Sequence, residues 1–340
     1  MNMNLSPLLN KAVHRSLSES DAREAALALM TGDVPPAQAG GLLSALRARG
    51  ENGGEILGFA RALREHASPF SLPADGLVDT CGTGGDSLGT FNVSTLAGLV
   101  AAACGARVAK HGNRAVSSRC GSADLLEALG VRIDGPSSGV ARSIDETGFG
   151  FLFAPNYHPT LKQLGPLRRE LGFRSIFNIV GPLANPARVR RQVVGVPSPA
   201  YLRPVAEALR ALGIDHAYVV HGDDGADEIS LTGRTTVFEV RGETLDSRVI
   251  HPEDAGLRTC SREDIRGGDA SENAAIATRV LDGELGPAHD FVVINAAAAL
   301  VVAGRADTLR EGADKAREAL VSKKARSVLE AVKRLSQEAA

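Results

Sequence analysis

From Leu77 onward, short β-rich runs alternate with helical stretches, and this alternation restricts the possible folds more than any other feature of the chain. The β-rich runs lie at Leu77–Cys81, Arg107–Lys110, Phe149–Phe153, Gln192–Val196, Ala217–Val220 and Thr235–Val240. Apolar residues at helical spacing predict helices over Leu96–Cys104, Ser122–Leu129, Leu202–Leu212, Ser271–Leu281 and Ala313–Leu335. Such a pattern implies an α/β domain, with a mostly parallel central sheet flanked by helices.

The first part of the chain follows a different rule. In Gln38–Leu46 the residues Leu42, Leu43 and Leu46 share one stripe, and in Glu55–Leu63 so do Ile56, Leu57, Ala60 and Leu63, which predicts several short helices. Ser68–Gly76, with Pro69, Pro73 and Gly76, then interrupts the pattern as a linker does. The expected division is a smaller all-helical domain over residues 1–70 and an α/β domain over 76–340. A helical stretch over 159–186 breaks the strand alternation and is expected to cross back onto the N-terminal helices, leaving a cleft that hinge closure would cover.

Composition excludes several classes of function. The 340 residues are 44% apolar and 23% charged, ordinary for a soluble enzyme. With 38 basic and 40 acidic side chains the net charge is −2, so no overall field recruits nucleic acid, and Lys323, Lys324 and Arg326 read as a solvated helix face. The longest apolar run, Phe291–Gly304, is interrupted by Asn295 and is shorter than the roughly 20 residues a bilayer requires. No signal-peptide core is visible at the N-terminus, so a cytoplasmic protein without membrane contact is expected. Cys81, Cys104, Cys120 and Cys260 lack metal-ligand spacing and read as reduced, mostly buried thiols.

The chemistry concentrates in two glycine- and hydroxyl-rich loops, Asp79–Thr95 (DTCGTGGDSLGTFNVST) and Lys110–Asp124 (KHGNRAVSSRCGSAD), each directly after a β-rich run. Glycine admits backbone amides close to a bulky anion, and Ser, Thr and Asn add donors without negative charge, so the two loops read as halves of a phosphate cradle. Neither common nucleotide signature is met. Thr90 stands where a Walker lysine would be, and Ser87 stands where a dinucleotide fingerprint needs a small third glycine. A helix starting near Asn92–Thr95 would aim its positive dipole end at the anion. Asp86 inside the loop is repulsive to an anion unless a cation or sugar hydroxyl intervenes, which suggests a sugar phosphate with magnesium.

In the second loop Lys110, at a strand end, could meet phosphate as a point charge, and Ser122 is placed to N-cap the following helix. His221–Ser230 (HGDDGADEIS) sets acidic residues after a strand; Asp227 and Glu228 are favoured as magnesium ligands, since the ion takes one or two carboxylates and completes its shell with water and phosphate. Phe153–Pro159 (FAPNYHP) and Pro166–Gly172 (PLRRELG) bring aromatic, imidazole and guanidinium groups near the proposed hinge, where an arginine could hold a carboxylate.

Together with LLSALRARGE (42–51), RRELGFRSIFNIVGPLANP (168–186) and VVHGDDGADEIS (219–230), these motifs closely resemble the anthranilate phosphoribosyltransferase family of tryptophan biosynthesis. The resemblance implies transfer of the 5-phosphoribosyl group from 5-phosphoribosyl 1-pyrophosphate (PRPP) to the amine of anthranilate, with Mg2+, in a homodimer joined through the helical domains. It also implies site residues. Gly82, Gly85, Asp86, Thr90, Asn92, Val93, Ser94, Thr95, Lys110, Asn113, Ser117, Ser118 and Ser122 would hold the donor. Gly82, Asn113 and Arg168 would meet anthranilate, with His111, Tyr157 and His158 as neighbours, and Ser94, Asp227 and Glu228 would serve the metal. No general base is assigned. The chain departs from the family pattern at Ser87–Gly89 and at Gly40–Ser44. Two rival readings use the same fold: a pyrimidine nucleoside phosphorylase, which the acidic pair disfavours, and a non-catalytic nucleic-acid-binding relative, which the net charge disfavours.

Overall fold

The computed structural model describes residues 4–85, 88–115 and 119–338. Four helices open the chain: α1 (Ser6–His14), α2 (Glu19–Thr31), α3 (Pro36–Arg49) and α4 (Gly53–Glu65). Reciprocal caps fix two of their starts. Ser18 and Asp21 exchange hydrogen bonds at the head of α2, and Asn52 and Glu55 do so at the head of α4, each satisfying amides the helix leaves open. Glu55 is fully buried, and its carboxylate also accepts from Leu17 N at 2.8 Å and from Arg49 at 2.5 Å, so the charge is matched rather than stranded. Helices α2 and α4 pack closely because Gly58 has no side chain; a Cβ there would overlap the Glu19 carbonyl and lie 2.8 Å from Arg23 N.

Among the described residues seven strands form one sheet: β1 (Leu77–Asp79), β2 (Arg107–Gly112), β3 (Phe149–Phe153), β4 (Arg191–Gly195), β5 (His216–Gly222), β6 (Thr235–Arg241) and β7 (Thr244–Ile250). Their order is β3-β2-β1-β4-β5-β6-β7, parallel through β5 and antiparallel from there to β7. The sheet is therefore mixed, with a parallel body and an antiparallel edge. Strand β7 has no counterpart in the sequence reading, because as an exposed edge strand its Asp246, Ser247 and Arg248 give no apolar alternation.

Helices α5 (Val93–Ala103), α6 (Ser122–Ala128) and α7 (Ser137–Thr147) follow the first strands; α8 (Ala154–Tyr157), α9 (Gly165–Leu171) and α10 (Ile176–Val180) occupy the interruption before β4. The rest are α11 (Leu202–Ala211), α12 (Ala270–Leu281), α13 (Pro287–Val302), α14 (Leu309–Val321) and α15 (Lys324–Glu338). The single helix expected over Ala313–Leu335 is two. The chain turns at Lys323, whose φ of 60° is left-handed, and this side-chain-independent reversal leaves no gap in the apolar pattern. The apolar run at Phe291 is α13, buried from Phe291 to Val302 against α5 and α14; no described helix is long and apolar enough to cross a membrane. Of the cysteines only Cys120 is buried; the other three are half-buried, which corrects the reading of mostly buried thiols.

Two large cores result. One joins α5, α6 and α12–α15 behind the sheet. The other runs from α1–α4 through Ile176–Ala184 and α11 to the opposite face of β4 and β5. Phe59 of α4 meets Phe177 of α10 edge to face, with ring centroids 5.4 Å apart. Arg64 of α4 donates to the Leu183 carbonyl at 2.6 Å.

Candidate functional site: a cleft at the strand-order reversal

The sheet winds outward in both directions from the β1–β4 pair, and in open α/β sheets a crevice forms beyond the carboxyl ends of strands at such a reversal. The loop leaving β1 crosses the end of β4, where Thr83 donates to the Gly195 carbonyl from its amide at 2.9 Å and its hydroxyl at 3.1 Å. Gly84 and Gly85 have φ of 67° and 87°, a region that favours glycine. Close approach imposes a second demand. A Cβ at Gly82 would lie 2.8 Å from Asp227 Oδ2, one at Gly85 would overlap the Arg174 guanidinium, and one at Gly195 would overlap the Asp227 carbonyl. Asp86, Ser117 and Ser118 lie outside the described residues.

The loop then enters α5. Asn92 precedes its first turn without capping it; the Asn92 amide group instead donates to the Cys120 carbonyl at 3.0 Å and accepts from Asn273 at 3.0 Å. This ties the first loop to the second and leaves the amide end of α5 without a side-chain cap, which suits an anion. Thr90 bridges to Arg266, while Val93 and Thr95 are fully buried, with the Thr95 hydroxyl lacking a partner. The side chains of Val93 and Thr95 are therefore not presented to a ligand. Lys110 is the fourth residue of β2 rather than its end, and only 1% exposed. Its Nζ donates to the Thr80 carbonyl at 2.6 Å and to Ser94 Oγ at 3.3 Å. It is a charge beneath the loop, polarising Ser94 from below.

The acidic loop divides its four carboxylates cleanly. Asp223 pairs with Arg234 at 2.7 Å, and Asp224 accepts from Ser230, Thr232 and Ala226 N. Asp227, by contrast, is buried and faces the glycine loop, accepting from Gly84 N at 2.6 Å as a bound anion would. Asn295, the polar interruption in the apolar run, holds the backbone of Ile229 with two hydrogen bonds of 3.0 Å and so fixes this loop. Thr80, Gly82, Ser94, Gly195, Glu228 and Asn295 line one narrow cleft. The donor set suits Mg2+: two adjacent carboxylates and a hydroxyl leave room for phosphate and water ligands, and among the described residues no cluster of three or more His, Cys, Asp or Glu makes a closed cage.

Ser122 is not the N-cap of α6. Gly121 takes that place, Asp124 accepts from Gly121 N and Ala115 N at 2.8 and 2.9 Å, and Ser122 Oγ turns back to the Asn113 carbonyl at 3.4 Å. Asn113 is exposed, with its Oδ1 accepting from Arg114 N.

His111 and His158 stand together, ring centroids 5.3 Å apart, with Nδ1 of His111 near the Gly181 carbonyl and Nε2 of His158 near that of Ala184. Burial drives both below the usual imidazole range, His111 to about 3 and His158 to about 4, and the neighbouring His158 lowers His111 further. Both rings are neutral at pH 7. Tyr157 does not join them; it packs into a separate core with Leu77 and Leu152, edge-on to Phe70. Arg168 of α9 is half-buried over the Phe177 ring, its charged form disfavoured first by burial and then by Arg174.

Residues outside the sequence assignment complete the frame. Asp79 is fully buried and receives His111 N at 3.2 Å and Asn185 Nδ2 at 2.8 Å, locking β1, β2 and the Pro182–Asn185 segment together; burial raises its carboxyl to about 6. A carboxylate opening the DTCGTGG motif was the available signal. Asn185, Asn273 and Arg174 gave none, because their partners are distant in sequence.

Comparison with known proteins gives the family and the overall fold. Residues 6–67 match the helical bundle domain of the glycosyl transferase family, and residues 74–326 match its a/b domain. A curated anthranilate phosphoribosyltransferase of Thermomicrobium roseum is 52% identical, over 97% of this chain and 96% of its own. The crystal structure of the Thermus thermophilus anthranilate phosphoribosyltransferase superposes with a TM-score of 0.91 at 48% identity, covering 97% of this chain and 99% of that one. The Saccharomyces cerevisiae enzyme in complex with PRPP and Mg gives 0.90 at 28% identity, over 99% of this chain and 100% of that one. With both domain models matched in order and half the residues identical across nearly the whole length, the chain belongs to the anthranilate phosphoribosyltransferase family.

Proposed function

We infer that the chain transfers the 5-phosphoribosyl group of PRPP to the amine of anthranilate, releasing pyrophosphate, in the synthesis of tryptophan. One observation carries this reading: Gly82 of the glycine loop, Ser94 at the head of α5 and Glu228 line one narrow cleft at the β1–β4 reversal, with the Asp227 carboxylate held against the same loop through Gly84 N. Breaking the bond from ribose C1 to pyrophosphate builds negative charge on the leaving group. Fixed amides aimed at that group stabilise it without reorganising, each worth roughly 2.7–4 kcal/mol of barrier. Magnesium, when bound by Asp227, Glu228 and Ser94, would supply the opposing positive charge.

The aniline nitrogen of anthranilate is neutral at pH 7 and needs no prior deprotonation. Neutral, buried His111 and His158 fit that requirement as walls rather than bases. Arg168 would hold the carboxylate of anthranilate, and Asn113 and Gly82 would border the ring. Positioning contributes the remaining acceleration.

The sequence division at 1–70 and 76–340, with 159–186 counted with the helical unit, is consistent with the core that α1–α4 share with Ile176–Ala184. Assembly as a homodimer through the helical domain and residence in the cytoplasm complete the proposal; light scattering of the purified protein tests the first.

Turnover is tested by incubating protein, anthranilate, PRPP and Mg2+ while following loss of anthranilate fluorescence and release of pyrophosphate. Absence of both signals refutes the activity. Asp227→Asn with Glu228→Gln should raise the magnesium needed for half-maximal rate by about tenfold or more. A magnesium titration that superposes on the parent's removes these carboxylates from the site.

A further inference from the structure

Arg174 belongs to the connection between α9 and α10, on the helical side of the cleft, yet its guanidinium reaches the glycine loop on the other side. Its Nη2 donates to the Thr83 carbonyl at 2.6 Å, and its guanidinium fills the space where a Gly85 side chain would be. Across it lies a cavity of about 540 Å3, bordered by Arg47, Glu51, Ser175, Ser198 and Tyr201 as well as Gly85. The guanidinium therefore lies between the glycine loop and this cavity, touching the loop and lining the cavity.

The connection bearing Arg174 continues into Ile176–Val180, which shares a core with α4 through Phe59 and Phe177. Any displacement of the helical unit relative to the sheet consequently moves this guanidinium against the loop. We propose that Arg174 is a positioning residue for the donor: it sets the Thr83–Gly85 backbone that receives the phosphates, and it couples that backbone to the placement of the helical unit. The role is separate from that of Arg168, which faces the acceptor. It rests on the assignment of PRPP to the glycine loop.

Planar geometry matters here, since a guanidinium can donate to Thr83 O while lying flat on Gly85, and a lysine ammonium can do only the first. Arg174→Met should raise KM for PRPP by about ten- to a hundredfold and leave KM for anthranilate within about twofold of the parent. Arg174→Lys should fall between the two. Tm of the ligand-free variants should stay near that of the parent, while the added stabilisation by PRPP with Mg2+ is lost in Arg174→Met.

Unchanged KM values in Arg174→Met overturn the proposal. So does an equal rise in both KM values accompanied by a lowered Tm, which would mark a general structural prop. The Asp227→Asn, Glu228→Gln pair separates the two levels of failure. If the pair alters the magnesium requirement while Arg174→Met behaves as the parent, only the positioning role falls; if the pair also behaves as the parent, the donor site is misplaced and the role falls with it.

Discussion

Arg168 and Arg174 lie six positions apart, and the first was legible in the sequence while the second was not. Arg168 sits in a motif whose composition suggests carboxylate binding, whereas the contact of Arg174 with Thr83 spans 91 residues and leaves no local pattern. Replacing Arg168 by Ala should weaken anthranilate binding by about 1.5–3 kcal/mol, read as a raised KM for anthranilate with KM for PRPP nearly unchanged. An unaltered anthranilate KM would place the acceptor elsewhere. Asp79 presents the opposite case, a residue inside a recognised motif whose role is to lock strands. Its folded pKa of about 6 lies above the ordinary 3.8, so the folded state holds its proton more tightly than the unfolded chain. Its contribution to stability is present at acidic pH and is lost as pH rises from about 4 through about 6. Asp79→Asn should flatten that slope in urea unfolding measured across the window, and should lower stability throughout because its amide would face the Asn185 amide. A slope equal to the parent's assigns the pH dependence to other groups.

At the scale of elements, sequence patterns located every parallel strand and most of the flanking helices, and they failed for identifiable reasons. Strand β7 escaped because its residues are mostly exposed, and the α14–α15 break escaped because apolar spacing continues across it. Ser122 looked like an N-cap by residue type, but Gly121 precedes it and Asp124 satisfies the turn. Packing between elements was invisible as well. Nothing around Gly58 marks it as critical, yet α2 and α4 touch through it. Gly58→Ala should raise local helix propensity and still destabilise the protein by about 1–3 kcal/mol, since the added methyl has backbone of α2 in its path. Thermal unfolding that shows a raised Tm would mean that the two helices separate easily.

For the molecule as a whole, the shared core joining the N-terminal helices, Ile176–Ala184, α11 and one face of β4–β5 means that the two family domains are not energetically separate. Phe59→Ala should cost about 3–5 kcal/mol and lower one cooperative transition, not split it in two. Two transitions in calorimetry of the parent would show that the helical unit melts alone.

The sequence by itself determined the fold class, the order of the elements and the family, because periodicity and contiguous loop motifs are local properties. It also named the acidic pair, since a strand-end carboxylate cluster is local too. Only the tertiary structure decided which of the four carboxylates faces the glycine loop, that Lys110 lies beneath the loop, that Tyr157 turns into a core, and that Arg174 reaches across the cleft. Each of these depends on which distant segments the β1–β4 reversal brings together, and burial and hydrogen-bond partners are set by that juxtaposition rather than by neighbours in the chain.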